Sequence, residues 1–339
     1  MILHISDELK LPKYRQIIDG VTLAIREKRV RKGDSLPSAS ALCKEFHLAR
    51  ETVLKAYAEL KSLGVVEAIP RKGYFVATES IEHTHKVLLV MDEFSPYKQD
   101  LYDAFRKRLG KEAVVDVYFH HCNPATLKNL LRDKIDAYSE IVLTPFDNPE
   151  ISEILSDLAP EKLLVLDRSE HTGDRYSFIG QDFDAGLYEA LDSVADRFAR
   201  YERVCLVFRL PSEVMTRSNQ SPVTIPVAFK RFCKAHSLKH TVLHEVGKIK
   251  KGDAYFVIDD ADLVMVVEQA MEKKLTLGKD VGILAYNETH MRKVVGEGIT
   301  VISTDFKAMG RHAAEYVLND KKEKTKQIIP TRVIQRRSL

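Results

Sequence analysis

Residues 36–76 are spaced for two short helices, a tight turn and a small hairpin, and few folds accept that order. Ser38 is a natural N-cap for a short helix carrying Leu42 and Phe46. His47, Leu48 and Ala49 make a tight connection. A second helix over 50–63 puts Val53, Tyr57 and Leu60 on one face, and Gly64 stops it in the left-handed backbone that glycine accepts. Residues 65–69 and 74–76 alternate like two strands about a turn of Pro70, Arg71, Lys72 and Gly73. Upstream, Pro12 begins a helix whose apolar stripe is Tyr14, Ile17, Ile18, Val21 and Ile25.

Two short helices joined by a tight turn, the second amphipathic, form a helix-turn-helix layout. Its second helix offers its N-terminal residues to base edges in a major groove. Here those residues are Arg50, Glu51 and Thr52, with Lys55 one turn on. An arginine pairs bidentately with guanine, and a threonine contacts a base or a thymine methyl. Arg71 and Lys72 at the hairpin tip are placed for phosphate or the minor groove. Charge follows the same division. Residues 1–78 hold 14 Lys and Arg against 9 Asp and Glu, a net of +5. The other 261 residues hold 38 against 40, a net of −2. A basic head on a near-neutral body is the footprint of a nucleic-acid reader joined to something else. The head is expected over 1–78, and polar residues 79–85 read as a linker in which His83 and His85 are solvated.

From residue 86 onward, short apolar strands alternate with amphipathic helices. Strands are expected at 87–91, 114–119, 141–143, 163–166, 203–208, 241–243, 254–258 and 281–285. Helices are expected at 97–109, 125–135, 151–158, 185–198, 223–235, 263–273 and 307–318. The alternation predicts parallel sheets covered by helices, and its length predicts two lobes within 86–339. Ligands of open α/β sheets bind beyond the carboxyl ends of the strands. The residues there are Asp92, Glu93 and Phe94; Pro145, Phe146 and Asp147; Asp167 and Arg168; Asp182; Arg209; Asp259 and Asp260; and Tyr286, Asn287 and Glu288. Carboxylates and amides bind hydroxyls, and aromatic faces cover C–H surfaces, so the set suits a sugar.

The four cysteines, Cys43, Cys122, Cys205 and Cys233, fit no zinc spacing and read as reduced thiols. No apolar run approaches the ~20 residues that span a bilayer, and the first residues lack a signal-peptide pattern. A cytoplasmic protein without membrane contact is expected. Nucleophile elbows, Walker phosphate loops and dinucleotide fingerprints are missing from the sequence, so no catalytic residue, cofactor or metal is assigned. His120, His121, His240 and His244 read as structural or solvated.

The head resembles the winged-helix DNA-binding domain of the GntR family of bacterial transcription regulators. The shared residues are Pro12, Tyr14, Gln16 and Ile17; Gly33 to Ser38 (GDSLPS); Arg50 to Val53 (RETV); and Lys72 to Val76 (KGYFV). The resemblance implies a homodimer on a palindromic operator, with DNA contacts at Ser38, Arg50, Thr52 and Gly73. Ala39 and Ser40 stand where the family usually has Glu-Arg, and Leu54 where it often has Arg. Lys55, Arg71 and Lys72 offer positive charge nearby.

The body resembles the sugar-sensing core of the LacI family, itself similar to type I periplasmic binding proteins. The segments that carry this are VLDRS (165–169), IGQDFDAG (179–186), IDDAD (258–262), GILAYNET (282–289), STDFKAMGRHAAEYVL (303–318) and IIPTRVIQRRS (328–338). The resemblance implies a cleft between two lobes, crossed by strands near Ile179, Ser303 and Ile329. It implies ligand contacts at Asp167, Asp259 or Asp260, and Asn287. Ile225 occupies a position where the family often has Arg, and Arg217 or Asn219 in the preceding insertion could take its place.

Together these features predict an α/β chain: an N-terminal winged helix-turn-helix and a two-lobed, parallel-sheet, periplasmic-binding-protein-like body. They resemble the GntR subgroup with LacI-type effector domains, to which arabinose-sensing repressors belong. The expected function is repression of carbohydrate-utilisation genes, relieved when a monosaccharide such as L-fucose or L-arabinose binds between the lobes. Its contacts are expected from Phe94, Phe146, Asp147, Asp167, Arg168, Arg217, Asp259, Asp260 and Asn287, with Phe94, Phe146 and Phe229 covering a methyl face. Two other readings stay open: a body that is a sugar or nucleotide enzyme, and one that only dimerises and binds a protein.

Overall fold

The apolar stripe of the first helix sets the core of the head. In a computed structural model that describes residues 3, 5, 12–79, 85–209, 222–319 and 323–339, α1 (Lys13–Arg26) buries Ile17, Ile18, Val21 and Ile25. Pro12 caps this helix from outside rather than opening it. The Ser38 hydroxyl accepts the Ala41 N–H at 3.1 Å and starts α2 (Ala39–Phe46). His47, in left-handed backbone, ends it. α3 (Arg50–Ser62) buries Val53, Ala56, Tyr57 and Leu60 against α1 and α2. Gly64 turns the chain out at φ 68°. β1 (Val66–Ile69) and β2 (Gly73–Val76) then pair antiparallel as the wing.

The body is two six-stranded sheets, each covered by helices. The first lobe takes β3 (His85–Met91), β4 (Ala113–Phe119), β5 (Glu140–Leu143), β6 (Leu163–Asp167) and β7 (Ser177–Gly180), with helices α4 (Pro96–Leu109), α5 (Pro124–Lys134) and α6 (Ile151–Leu155) between them. The chain then crosses into the second lobe. That lobe holds α7 (Ala185–Asp192), α8 (Ala195–Phe198), β8 (Arg203–Val207), α9 (Thr224–Ala235), β9 (His240–Leu243), β10 (Asp253–Val257), α10 (Asp260–Glu272), β11 (Gly282–Tyr286) and β12 (Thr300–Thr304). It returns through α11 (Phe306–Leu318), which packs on α4 in the first lobe. β13 (Lys326–Ile328) completes the first sheet, and β14 (Thr331–Ile334) completes the second.

The strand order in the first sheet is β13-β7-β6-β5-β3-β4, all parallel. In the second it is β14-β12-β11-β10-β8-β9, parallel except for β14. Both sheets are therefore buried on two faces, which is why their central strands read as continuous apolar runs. The chain passes between lobes three times, after β7, after β12 and between β13 and β14, and these passages frame one cleft.

Some expectations need correction. The helix expected over 185–198 is two helices, broken at Ser193 and Val194. The helix expected over 151–158 stops at Leu155. His85 is not solvated: it opens β3, is 3% exposed, and sets Nδ1 3.1 Å from Glu140 Oε1 and Nε2 3.2 Å from an Arg15 nitrogen. His83 lies outside the described residues.

Candidate effector cleft and nucleic-acid interface

The cleft is built from strand ends. A cavity of about 210 Å³ lies where the carboxyl ends of β3, β6, β10 and β11 meet the first passage between the lobes. The first lobe brings Asp92, Glu93, Tyr97, Lys98, Asp167 and Arg168. The second brings Ile225, Asp259, Asp260, Tyr286, Asn287, Thr289 and Arg292. Gln181 and Phe183 stand in the passage itself. This volume is below the roughly 300–1,000 Å³ of drug-sized sites, so the cavity suits a small polar ligand.

Backbone geometry singles out two of these residues. Asp167 ends β6 at φ 69°, and Asn287 follows β11 at φ 70°. Left-handed backbone is uncommon for residues other than glycine and is tolerated best by Asn and Asp. Each lobe thus presents a polar residue in left-handed backbone at the end of a cleft strand. Gln181 ties them together. Its amide donates to Asp167 Oδ1 at 2.7 Å, and its carbonyl accepts from the Tyr286 hydroxyl at 3.1 Å and the Thr304 hydroxyl at 2.9 Å. Thr304 lies 2.9 Å from the Thr331 hydroxyl. One amide therefore joins the ligand-facing ends of both lobes to the second and third passages.

Charges in the cleft are paired. Lys98 sits on Asp92, both buried. Burial alone would pull the Lys98 ammonium down, but Tyr97, Asp92 and Asp167 around it hold it up, so it stays protonated. Arg168 is bidentate on Glu170, with both contacts at 2.9 Å. Arg292 holds Asp260 at 2.6 Å and the carbonyls of Tyr286 and Asn287, clamping the ends of β10 and β11. Burial pushes the Asp167 carboxyl up, against the pull of Gln181, Lys98 and Arg168. Among the described residues of the lining, three buried side-chain atoms have no hydrogen-bond partner: Ser95 Oγ, Asn287 Oδ1 and Thr289 Oγ1. A buried polar group normally has a partner, which sets these three apart from the rest of the lining.

Of the residues expected to line this site, Asp167, Arg168, Asp259, Asp260 and Asn287 do so. Three others do not. Phe94 is 49% exposed and packs edge-on against Tyr102 and Phe119 outside the cavity. Phe146 is buried in the outer core of the first lobe against His120. Asp147 pairs with His171 at 2.7 Å. Phe229 is likewise a core residue, packed on Phe256. Phe146, just past the end of β5, gains more by folding back into the core than by facing a wet cleft, and Phe229 lies on the buried face of α9. Tyr97 and Phe183 provide the aromatic faces instead. Arg217 and Asn219 lie outside the described residues.

Sequence reasoning missed Tyr97, Lys98, Gln181, Phe183, Thr289 and Arg292. Tyr97 and Lys98 carry a usable signal, because they open a helix directly after a strand. Among the described residues, no group of three or more His, Cys, Asp or Glu side chains is placed to hold a metal. No helix there is long and apolar enough to cross a membrane.

On the head, Arg50 is exposed at the first position of α3, with Thr52 half-buried beside it. Ser38 is exposed but its hydroxyl is engaged as the α2 cap. At the wing tip, Lys72 N–H closes a turn onto Ile69 O at 3.0 Å, with Pro70 second and Arg71 third at φ 64°. Arg71, Lys72 and Gly73 are exposed. Lys55 is differently placed: its ammonium pairs with Glu161 of the body at 2.8 Å and lies 4.5 Å above the Tyr14 ring.

Comparison with known proteins agrees with this architecture. Residues 13–76 match the family of bacterial regulatory proteins, gntR family, and residues 197–339 match the periplasmic binding protein-like domain. The chain joins a GntR-type head to a periplasmic-binding-protein-like body. The head is 35% identical over 82 residues to the mannosyl-D-glycerate transport/metabolism system repressor MngR of Escherichia coli. That match covers 24% of this chain and 34% of the relative, so it spans about a third of the relative's length. The body superposes on the trehalose repressor from Escherichia coli with a TM-score of 0.60 at 15% identity, covering 75% of this chain and 99% of that one. It superposes on a LacI family transcriptional regulator from Lactobacillus casei with bound sucrose at 0.62 and 14%, covering 75% and 99%. At these identities the likeness shows the fold of the body, which is that of LacI-type repressors.

Proposed function

We propose that the chain is a transcription regulator whose operator affinity changes when a small carbohydrate closes the cleft between the two lobes. The observation that carries the reading is the set of partnerless buried atoms, Ser95 Oγ, Asn287 Oδ1 and Thr289 Oγ1, in residues that line one polar cavity with Asp167, in a chain with a GntR-type head. Hydroxyl groups satisfy such acceptors, and Tyr97 and Phe183 supply the apolar faces a sugar ring needs. Superposition on a regulator with bound sucrose supports the same choice. Arg50, Thr52, Arg71, Lys72 and Gly73 read the operator as a homodimer on a palindrome, and the sign is repression relieved by sugar. The effector is a monosaccharide, with L-fucose and L-arabinose the first candidates.

The mechanism needs a ligand that binds two arrangements of the lobes differently. Gln181 is the amide through which the cleft reaches the passages between them. A thermal-shift screen of the full chain against neutral monosaccharides tests the reading. A sugar at about 100 times its dissociation constant stabilises the native state by about 2.7 kcal/mol. A stabilising sugar whose effect is lost in Asp167→Ala is the expected result. Absence of any stabilising carbohydrate would refute the sensor reading and leave the head as a DNA-binding domain with another kind of body.

A further inference from the structure

We infer that the cleft takes an uncharged carbohydrate and rejects its phosphorylated form. This deepens the proposed function and rests on its placing the sugar in this cleft. The charge balance of the lining is the first argument. Five carboxylates line the cavity, those of Asp92, Glu93, Asp167, Asp259 and Asp260, against three cations, a net of −2.

The second argument is that the three cations are already committed. Lys98, Arg168 and Arg292 are 4%, 5% and 3% exposed, and each is held on a carboxylate: Asp92, Glu170 and Asp260. Turning Lys98 to a phosphate would leave the buried Asp92 carboxylate without a partner, and turning Arg292 would release the strand-end carbonyls of Tyr286 and Asn287, which costs more than the new contact returns. The third is the chemistry of the waiting atoms. Asn287 Oδ1 accepts only, and an ionised Asp167 accepts only. A sugar hydroxyl has a proton to give them; where a phosphate replaces that hydroxyl, the substituted position has none. The helix α10, whose N-terminus opens at the cleft, already carries Asp260 and Asp262 in its first turn, so its dipole is answered.

A like-charge pair roughly 10 Å apart at an effective dielectric of about 20 corresponds to more than tenfold in affinity. The test pairs each sugar with its own phosphate at matched concentration and reads the dissociation constant from thermal stabilisation of the full chain. The pairs are glucose and glucose 6-phosphate, fructose and fructose 6-phosphate, L-arabinose and its 5-phosphate, and L-fucose and its 1-phosphate. The expected result is a neutral sugar that binds at least about tenfold more tightly than its phosphate, with the gap narrowing in 0.5 M salt as screening shortens. A phosphosugar that binds as tightly as its parent, or more tightly, overturns the inference while keeping the carbohydrate reading. Failure of every sugar and every phosphate overturns that reading, and the inference with it. Asp260→Asn removes one negative charge and loosens the hold on Arg292, at a side chain that is 60% exposed and so tolerates the change. It should raise phosphosugar affinity relative to the parent sugar by about tenfold; an unchanged ratio also overturns the charge account.

Discussion

Asp167 combines a strained backbone, near-complete burial and a hydrogen bond from Gln181. Its carboxyl is pushed above the unfolded value by burial. A group of that kind adds stability below its unfolded pKa and loses it as pH rises through the folded one. At neutral pH the ionised Asp167 therefore costs stability. Asp167→Asn should raise the melting temperature at pH 7 by roughly 2–4 °C, equivalent to about 1 kcal/mol in a body of this size. The gain should fade as pH drops towards about 4, where the unfolded aspartate is itself protonated. The same variant should lose its response to sugar. Calorimetric scans at pH 7 and pH 4 check this, and equal destabilisation at both would contradict it. At the other end of the molecule, Arg50→Ala should cost about 1–3 kcal/mol of operator affinity and relax base preference. A competition assay with mutated operators reads both, and unchanged specificity would remove Arg50 from the base contacts.

Among the elements, α11 bears most on how the lobes are joined. It leaves the second lobe, packs along α4 in the first and leads into β13. The contact is backbone-close at Gly310, where an added Cβ would stand 2.2 Å from Leu101 O and 3.0 Å from Phe105 N. Gly310→Ala should therefore push the two helices apart at a cost of about 1–3 kcal/mol, read as a lowered denaturation midpoint. An unchanged midpoint would mean the crossing relaxes freely.

Elements of this kind also mark how far the sequence could be read. The central strands and long helices were legible because apolar runs and 3.6-residue stripes are strong signals. β7, β12, β13 and β14 were not legible as elements. β13 is three residues long, and β14 alternates buried and exposed positions in a polar tail. The three passages near Ile179, Ser303 and Ile329 came from family resemblance and not from periodicity. At the cleft, Asp167 and Asn287 were legible because strand ends are where such ligands bind. Gln181 and Arg292 were not, because their roles depend on contacts to residues more than a hundred and more than thirty positions away. The phenylalanines were misplaced because chain position alone does not tell a ring that folds inward from one that faces the cleft.

At the scale of the whole molecule, the head docks on the body through charge. Arg15 of α1 holds Glu59 at 2.8 Å and reaches His85 of β3, which in turn meets Glu140. Lys55 pairs with Glu161 across a groove of about 950 Å³. An amine in an ion pair with the body is not available to a DNA phosphate. Exposed pairs of this kind are worth about 0.2–1 kcal/mol. Glu161→Ala should accordingly strengthen operator binding by up to roughly fivefold. Fluorescence anisotropy on labelled duplex measures it, and unchanged affinity would mean that Lys55 makes no DNA contact.

The central claim is that one molecule links a sugar cleft to a DNA-reading head. In vitro selection from random duplexes with the full chain should return an inverted repeat. Titrating the stabilising sugar onto that complex is then the most direct measurement. The account predicts that operator affinity falls, with a half-effect at the sugar concentration that half-saturates thermal stabilisation, and that Asp167→Ala binds operator normally but does not respond. Operator affinity that stays constant while the cleft is saturated with sugar would contradict it.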